Sequence, residues 1–139
     1  MYLKAILDEV AGALLDRFGV GYETAGQLLV TAGDNPERMK HEASYAALCG
    51  SSPVKASSGR TKRHRLNWGG DRNANSALWT IVITRMANHP PTRAYVERRT
   101  AQGLSKPEII RCLKRYVARE VFPLVRAVSD VQQPLETAA

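Results

Sequence analysis

Apolar residues recur at every third or fourth position along most of this chain and almost nowhere at every second one, a pattern that confines it to helices packed on helices. Residues 2–17 carry Leu3, Ile6, Leu7, Val10, Leu14 and Leu15 at helical spacing, and such a face needs a partner helix. Beyond Phe18-Gly19-Val20-Gly21, a second pattern runs from Glu23 to Ala32 with Ala25, Leu28 and Leu29 on one side. A third, short helix is expected over about 36–48. Residues 73–88 read as a helix with Leu78, Trp79, Val82 and Met86 facing inward, ended by His89-Pro90-Pro91. Residues 92–102 read as a short arginine-rich helix stopped by Gly103. Ser105-Lys106-Pro107-Glu108 has the form of a capping box with an early proline. Ile109, Leu113, Tyr116/Val117 and Val121 then mark an apolar stripe that Pro123 should end or bend, and the tail after Ser129 is expected to fray. The fold class is mainly α: a helical domain with a helix-hairpin-helix-like start and a basic loop or short β-hairpin at 53–67.

The 139 residues suit one domain, and 44% hydrophobic with 24% charged residues excludes wholesale disorder. Cys49 and Cys112 are too few for a disulfide framework or a four-cysteine zinc site, and the three histidines add no zinc-ligand spacing. The longest apolar stretch, 77–83, contains Thr80 and is far too short to cross a bilayer, so no membrane partner is expected. Lys4, Asp8 and Glu9 interrupt what would have to be a signal h-region. A reducing, cytoplasmic location is the expectation.

Charge narrows the partner. Twenty Lys and Arg against 13 Asp and Glu give +7 and a pI near 9.8, which points towards a polyanion. From 55 to 72, Lys55, Arg60, Lys62, Arg63, Arg65 and Arg72 stand against Asp71 alone, so this window supplies +5 and leaves +2 elsewhere. Ser57, Ser58, Gly59, Gly69 and Gly70 make it a loop or ribbon rather than a helix. Arginines and backbone N–H groups converging there would cradle phosphate, while the plain alternative is a solvated basic loop. His64 reads as a surface residue.

Two motifs could carry chemistry. Residues 14–29, LLDRFGVGYETAGQLL, have the form of a helix–hairpin–helix. Gly19 and Gly21 permit a tight turn and would leave N–H groups at a helix N-terminus for a phosphate, although Glu23 beside the turn opposes one. A plain connection between packed helices would use the same glycines. The second motif is Ser57-Ser58-Gly59. A serine attacking a phosphodiester builds negative charge on phosphoryl oxygens, which arginines stabilise. Acids are nearly absent around it, which suits phosphoryl better than acyl transfer. There is no GxSxG elbow and no carboxylate cluster for two metal ions. Taken alone, Ser-Ser-Gly is usually a turn.

In order, Gly19-Val20-Gly21 with Thr24-Ala25, ASYAALCG at 43–50, Pro53, Ser58-Gly59, a basic run and Gly70 opening a helix resemble the C-terminal domain of insertion-sequence transposases of the 110/116/902 type. The resemblance covers residues 14–126. It implies a DNA recombinase that joins a RuvC-like domain bearing four acidic residues to this serine-bearing domain. It also implies that a serine just before glycine becomes covalently linked to DNA. The matching position is Ser58, with Ser57 its neighbour, and Lys55, Arg60, Lys62, Arg63, Arg65 and Arg72 are expected phosphate contacts by position and charge. Trp68 and Asn75 stand where many relatives carry basic residues. The expected organisation is the end of a connecting helix or coiled coil at 1–17, the transposase C-terminal domain at 18–126 and a flexible tail at 127–139. The implied partners are DNA, an element-encoded guide RNA and further copies of the chain, since the full-length family acts as multimers. No cofactor is expected in this chain, and magnesium only with the acidic domain. The expectation is thus a truncated transposase, the DNA-binding and serine-nucleophile half, inactive alone. The alternative is a non-catalytic nucleic-acid-binding remnant.

Overall fold

The computed structural model describes residues 7–8, 11–51 and 70–138, with side chains as far as residue 128. Six α-helices and a 3₁₀ turn follow one another among these residues: α1 Gly12–Leu15, α2 Tyr22–Asp34, the turn Pro36–Met39, α3 Glu42–Leu48, α4 Arg72–Asn88, α5 Pro90–Ala101 and α6 Lys106–Ala138. No strand occurs among the described residues, and the chain is mainly α as expected. The hairpin expected at 53–67 lies outside the described residues.

Local chemistry sets the helix ends. Gly21 is extended, and its N–H donates to Thr24 Oγ1 at 3.0 Å, starting α2. At the other end, Asn35 Nδ2 donates to the Thr31 carbonyl at 2.9 Å, satisfying a group the helix leaves open. His89 closes α4 and precedes α5, whose first residue is Pro90, where a missing N–H is harmless. Gly103, at φ +95°, ends α5, and the Leu104 N–H reaches back to the Arg99 carbonyl at 3.2 Å. The Ser105 cap forms with one variation: Glu108 N–H donates to Ser105 Oγ, whose hydroxyl donates in turn to Glu108 Oε1.

Helices α2, α4 and α6 pack on one another, with α3 laid on α6 and α5 against α4 and α6. Alanines at the crossings, Ala25, Ala32, Ala74, Ala77 and Ala118, are all buried and let the helices approach closely. Leu28, Leu78, Ile81, Val117 and Val121 fill the space between, each contributing roughly 1.5–3 kcal/mol by burial. Tyr45 and Leu48 of α3 and Leu14 of α1 close the core.

Four expectations change. Trp79 is not inward: α4 buries Ala74, Ala77, Leu78, Ile81, Val82 and Arg85, and this rotation leaves Trp79 48% exposed. The third helix divides, because His41 is extended and caps α3 separately from the 3₁₀ turn. Helix α5 starts two residues before Thr92, since both prolines fit its first turn. Of the two outcomes expected of Pro123, ending α6 does not occur, since the helix continues to Ala138. Pro123 sits on the exposed side, so the hydrogen bond it removes is lost towards water. Buried Val121, Phe122 and Val125 offset its cost of about 3 kcal/mol.

Candidate nucleic-acid interface

The segment that carries Ser58 leaves the described body at Ser51 and rejoins it at Gly70, and these two ends adjoin. A Cβ on Gly70 would lie 3.2 Å from Gly50 Cα, so glycine lets the two backbones meet here without a shift of a few tenths of an ångström. Gly50 itself has φ +71°, and a Cβ there would lie 3.1 Å from Asn75 Nδ2. The outgoing strand of this neck is held by Ser51, whose N–H and hydroxyl both donate to the Ala46 carbonyl at 2.9 and 3.0 Å. The returning strand is held by the Asp71 N–H, which donates to the Leu48 carbonyl at 2.6 Å.

Side chains lock this neck. Asp71 caps α4: Oδ1 accepts from the Asn73 and Ala74 N–H groups at 2.8 and 3.2 Å. Its Oδ2 accepts from the buried Thr31 hydroxyl at 2.9 Å, tying the cap to α2. Asn75 Nδ2 donates to the Cys49 and Gly50 carbonyls at 3.0 and 3.2 Å, and Lys114 Nζ of α6 donates to Asn75 Oδ1 at 3.3 Å. Asn75 thus links Lys114 of α6 to the backbone of the neck. Desolvation first, then the Arg111 guanidinium, hold the Lys114 pKa below its ordinary value. No carboxylate within 4 Å answers Lys114 among the described residues. Burial pushes the neighbouring Cys49 thiol up to about 12, so it stays protonated and inert.

Of the expected site residues, Arg72 is the first residue of α4, exposed beside the neck. Ser58, its neighbour Ser57, and Lys55, Arg60, Lys62, Arg63 and Arg65 lie outside the described residues. Gly19 and Gly21 belong elsewhere. Gly19, at φ +81°, packs on α4: a Cβ would lie 3.1 Å from the Ile81 carbonyl and 3.4 Å from Arg85 Cγ. Ile81 and Arg85 stand nine and 13 residues along α4 from Arg72, roughly 14–20 Å away. The glycine turn and the neck are therefore separate places. Gly21 needs no special conformation, has open space where a Cβ would go, and spends its N–H on Thr24.

Residues that sequence reasoning missed lie on α5 and α6. The +2 left outside the basic window conceals two opposite halves: seven acids against four bases over 1–54, and ten bases against five acids over 73–139. A running charge sum would have shown it. Arg111, Lys114, Arg115 and Arg119 follow one another on α6. Arg115 makes a two-pronged ion pair with Glu42 of α3, and Arg119 Nε approaches the same carboxylate at 3.7 Å. That pairing, chiefly through the Arg115 hydrogen bonds, holds the Glu42 pKa below its ordinary value.

Three of the described carboxylates are committed in the same way. Asp71 is a cap, Glu42 is held by Arg115, and Glu120 by Arg85. No group of three or more His, Cys, Asp or Glu converges among the described residues. No helix among them is long and apolar enough to cross a membrane.

The model of the family described as "Transposase IS116/IS110/IS902 family" matches residues 11–97, more than half of the chain. A relative from Streptomyces coelicolor, an uncharacterized 43.6 kDa protein of insertion element IS110, is 34% identical over 112 residues. That match covers 78% of this chain and 27% of the relative, so the chain corresponds to about a quarter of that protein's length. No solved structure matches the chain.

Proposed function

The chain belongs to the IS116/IS110/IS902 transposase family, and from that premise we propose that it is the DNA-binding, serine-bearing part of a transposase, with Ser58 as the nucleophile on a phosphodiester. Ser58 Oγ attacks phosphorus, a P–O bond to serine forms, and the P–O bond to one sugar breaks. The serine proton passes to a base and the departing sugar oxygen takes one up. Because the phosphodiester is exchanged and not hydrolysed, a sugar hydroxyl can reverse the step and rejoin a strand. Lys55, Arg60, Lys62, Arg63, Arg65 and Arg72 neutralise the charge that grows on the phosphoryl oxygens.

The observation that carries this reading is the neck. Gly50 and Gly70 bring both ends of the Ser58 segment together, and Asp71, Asn75 and Lys114 fix them to three core helices. A nucleophile tethered at both ends to a rigid body is presented with less positional freedom than one on a free tail.

The test is covalent capture on a nicked duplex whose leaving group cannot return, with the acidic domain of a relative added in trans. A protein–DNA adduct in wild type, absent from Ser58→Ala with DNA binding intact, supports the nucleophile. Equal binding and no adduct from either protein under any condition overturns it. Neutralising Arg63 and Arg65 should lower the salt dependence of duplex binding by about 0.9 for each phosphate that is no longer neutralised.

A second reading, a nucleic-acid-binding module without chemistry, has one observation in its favour. Asp71, the single acid of the basic window, is spent on capping α4 and on Thr31, leaving it no role as a base. The same capture experiment separates the two.

A further inference from the structure

Helices α5 and α6 carry a second cationic surface on the other side of α6 from the neck. Tyr116 follows Lys114 by two residues, about 200° around the helix, so the two face opposite ways. Between Arg93 and Arg119, eight Lys and Arg stand against two Glu, and one of these, Glu108, is turned to the Ser105 hydroxyl. The charge excess surrounds a pair of rings. Tyr95 of α5 and Tyr116 of α6 meet edge to face with centroids 5.8 Å apart. The Arg98 and Arg99 guanidinium carbons lie 5.3 and 5.8 Å from the Tyr95 centroid, and that of Arg119 lies 5.9 Å from Tyr116.

These groups keep capacity for a ligand, although Arg99 Nη1 already donates to Gln102 Oε1 at 2.9 Å and its Nε is buried. Tyr116 is 49% exposed. Neither Arg98 nor Arg99 has a carboxylate within 4 Å among the described residues. Arg119 touches only an edge of Glu42, whose two oxygens Arg115 already occupies, and its side chain is 61% exposed. An aromatic face held in place by a second ring, with guanidinium groups around it, suits a base stacked on the ring and phosphates held by the arginines. Duplex DNA hides the base faces that such a platform needs, whereas an unpaired strand offers them.

We propose that Tyr116, with Arg98, Arg99 and Arg119, forms a binding site for an unpaired nucleic-acid strand, separate from the neck and independent of Ser58. One base stacks on Tyr116, and the arginines take the flanking phosphates. RNA and single-stranded DNA share this chemistry.

The test uses the full chain and labelled 12-nucleotide oligo-U and oligo-dT beside a 20-base-pair duplex, read by fluorescence anisotropy. Tyr116→Ala should weaken binding of the unpaired strands by roughly tenfold while duplex affinity stays within about twofold. Tyr116→Phe, which keeps the ring, should bind as wild type does. The Arg98→Gln and Arg119→Gln changes should each lower the salt slope for the unpaired strands by about 0.7. A thermal melt of Tyr116→Ala checks that the fold survives. Preference for oligo-U over oligo-dT would identify RNA as the source, and equal or reversed affinities would identify single-stranded DNA as sufficient. Unchanged oligonucleotide binding in Tyr116→Ala, or an equal loss of duplex and single-strand affinity, overturns the site. Failure of the Ser58 capture experiment leaves this result untouched, because no oligonucleotide arm involves bond breaking.

Discussion

Arg85 and Glu120 form a two-pronged ion pair between α4 and α6, with Nη1 to Oε1 at 3.0 Å and Nη2 to Oε2 at 2.7 Å. The third donor of Arg85, Nε, reaches the Phe18 carbonyl at 2.8 Å, so one buried guanidinium binds the glycine turn to both helices. Arg17 adds a looser contact to Glu120 at 3.9 Å. Removing Glu120 leaves a buried guanidinium without its carboxylate, and removing Arg85 leaves Glu120 only the looser Arg17 contact. We expect Arg85→Met to cost about 3 kcal/mol in urea unfolding, because it strands both Glu120 and the Phe18 carbonyl. Glu120→Gln should cost less, and the double variant should be more stable than the sum of the singles implies. Additivity within about 0.5 kcal/mol would mean that the pair does not act as a unit.

The same pair makes stability depend on pH. Hydrogen bonds from Arg85 hold the folded-state pKa of Glu120 below 4.5, its ordinary value, and Arg115 does the same for Glu42. Each depressed carboxylate stabilises the fold fully above the ordinary pKa, and this contribution disappears as pH falls through the lower folded value. Melting temperature should therefore drop from about pH 5 downwards, and the Glu42→Gln, Glu120→Gln double variant should show a flatter acid limb. Parallel acid limbs in the two proteins would place the titration elsewhere.

Gly19 and Gly21 separate packing from phosphate binding. Gly19→Ala meets both a left-handed φ of +81° and the Ile81 carbonyl, and should destabilise by about 1–3 kcal/mol. Gly21→Ala meets open space and an extended backbone, and as an N-cap change to a poorer capping residue it should cost roughly 0.5–1 kcal/mol. If the turn binds a DNA phosphate through its backbone, Gly21→Ala should still leave duplex affinity unchanged, since it preserves the N–H groups. A large affinity loss there would show that the phosphate needs the space a missing Cβ leaves.

Much of this fold was legible because helix ends are local events. Ser105 with Glu108, Gly103, and His89 before two prolines each declare a boundary within four residues of chain, and each boundary stands. What pairs across the molecule was not legible. Nothing local to Arg85 announces its pairing with Glu120, 35 positions later. Trp79 reads as core because periodicity identifies a face but not its rotation, and the alanines at 74 and 77 decided that rotation. The basic window was visible as composition, while the neck at Ser51 and Gly70 depends on Thr31, Leu48, Asn75 and Lys114 converging from four helices.

Asp71 offers the sharpest test of whether that neck matters for DNA. Asp71→Ala removes the α4 cap and leaves the buried Thr31 hydroxyl without its acceptor, which should cost about 2 kcal/mol. Asp71→Asn keeps an oxygen for the cap and should cost about half of that. Both variants raise the net charge from +7 to +8. If charge alone governs duplex affinity, both should bind slightly tighter than wild type, and equally. If the neck must be held for the Ser58 segment to engage DNA, Asp71→Ala should bind more weakly than Asp71→Asn despite the same charge. Titrations at one ionic strength, below the melting temperature of both proteins, decide it: a gap of threefold or more between the two assigns the neck a role in binding, and coincident curves reduce it to a structural closure.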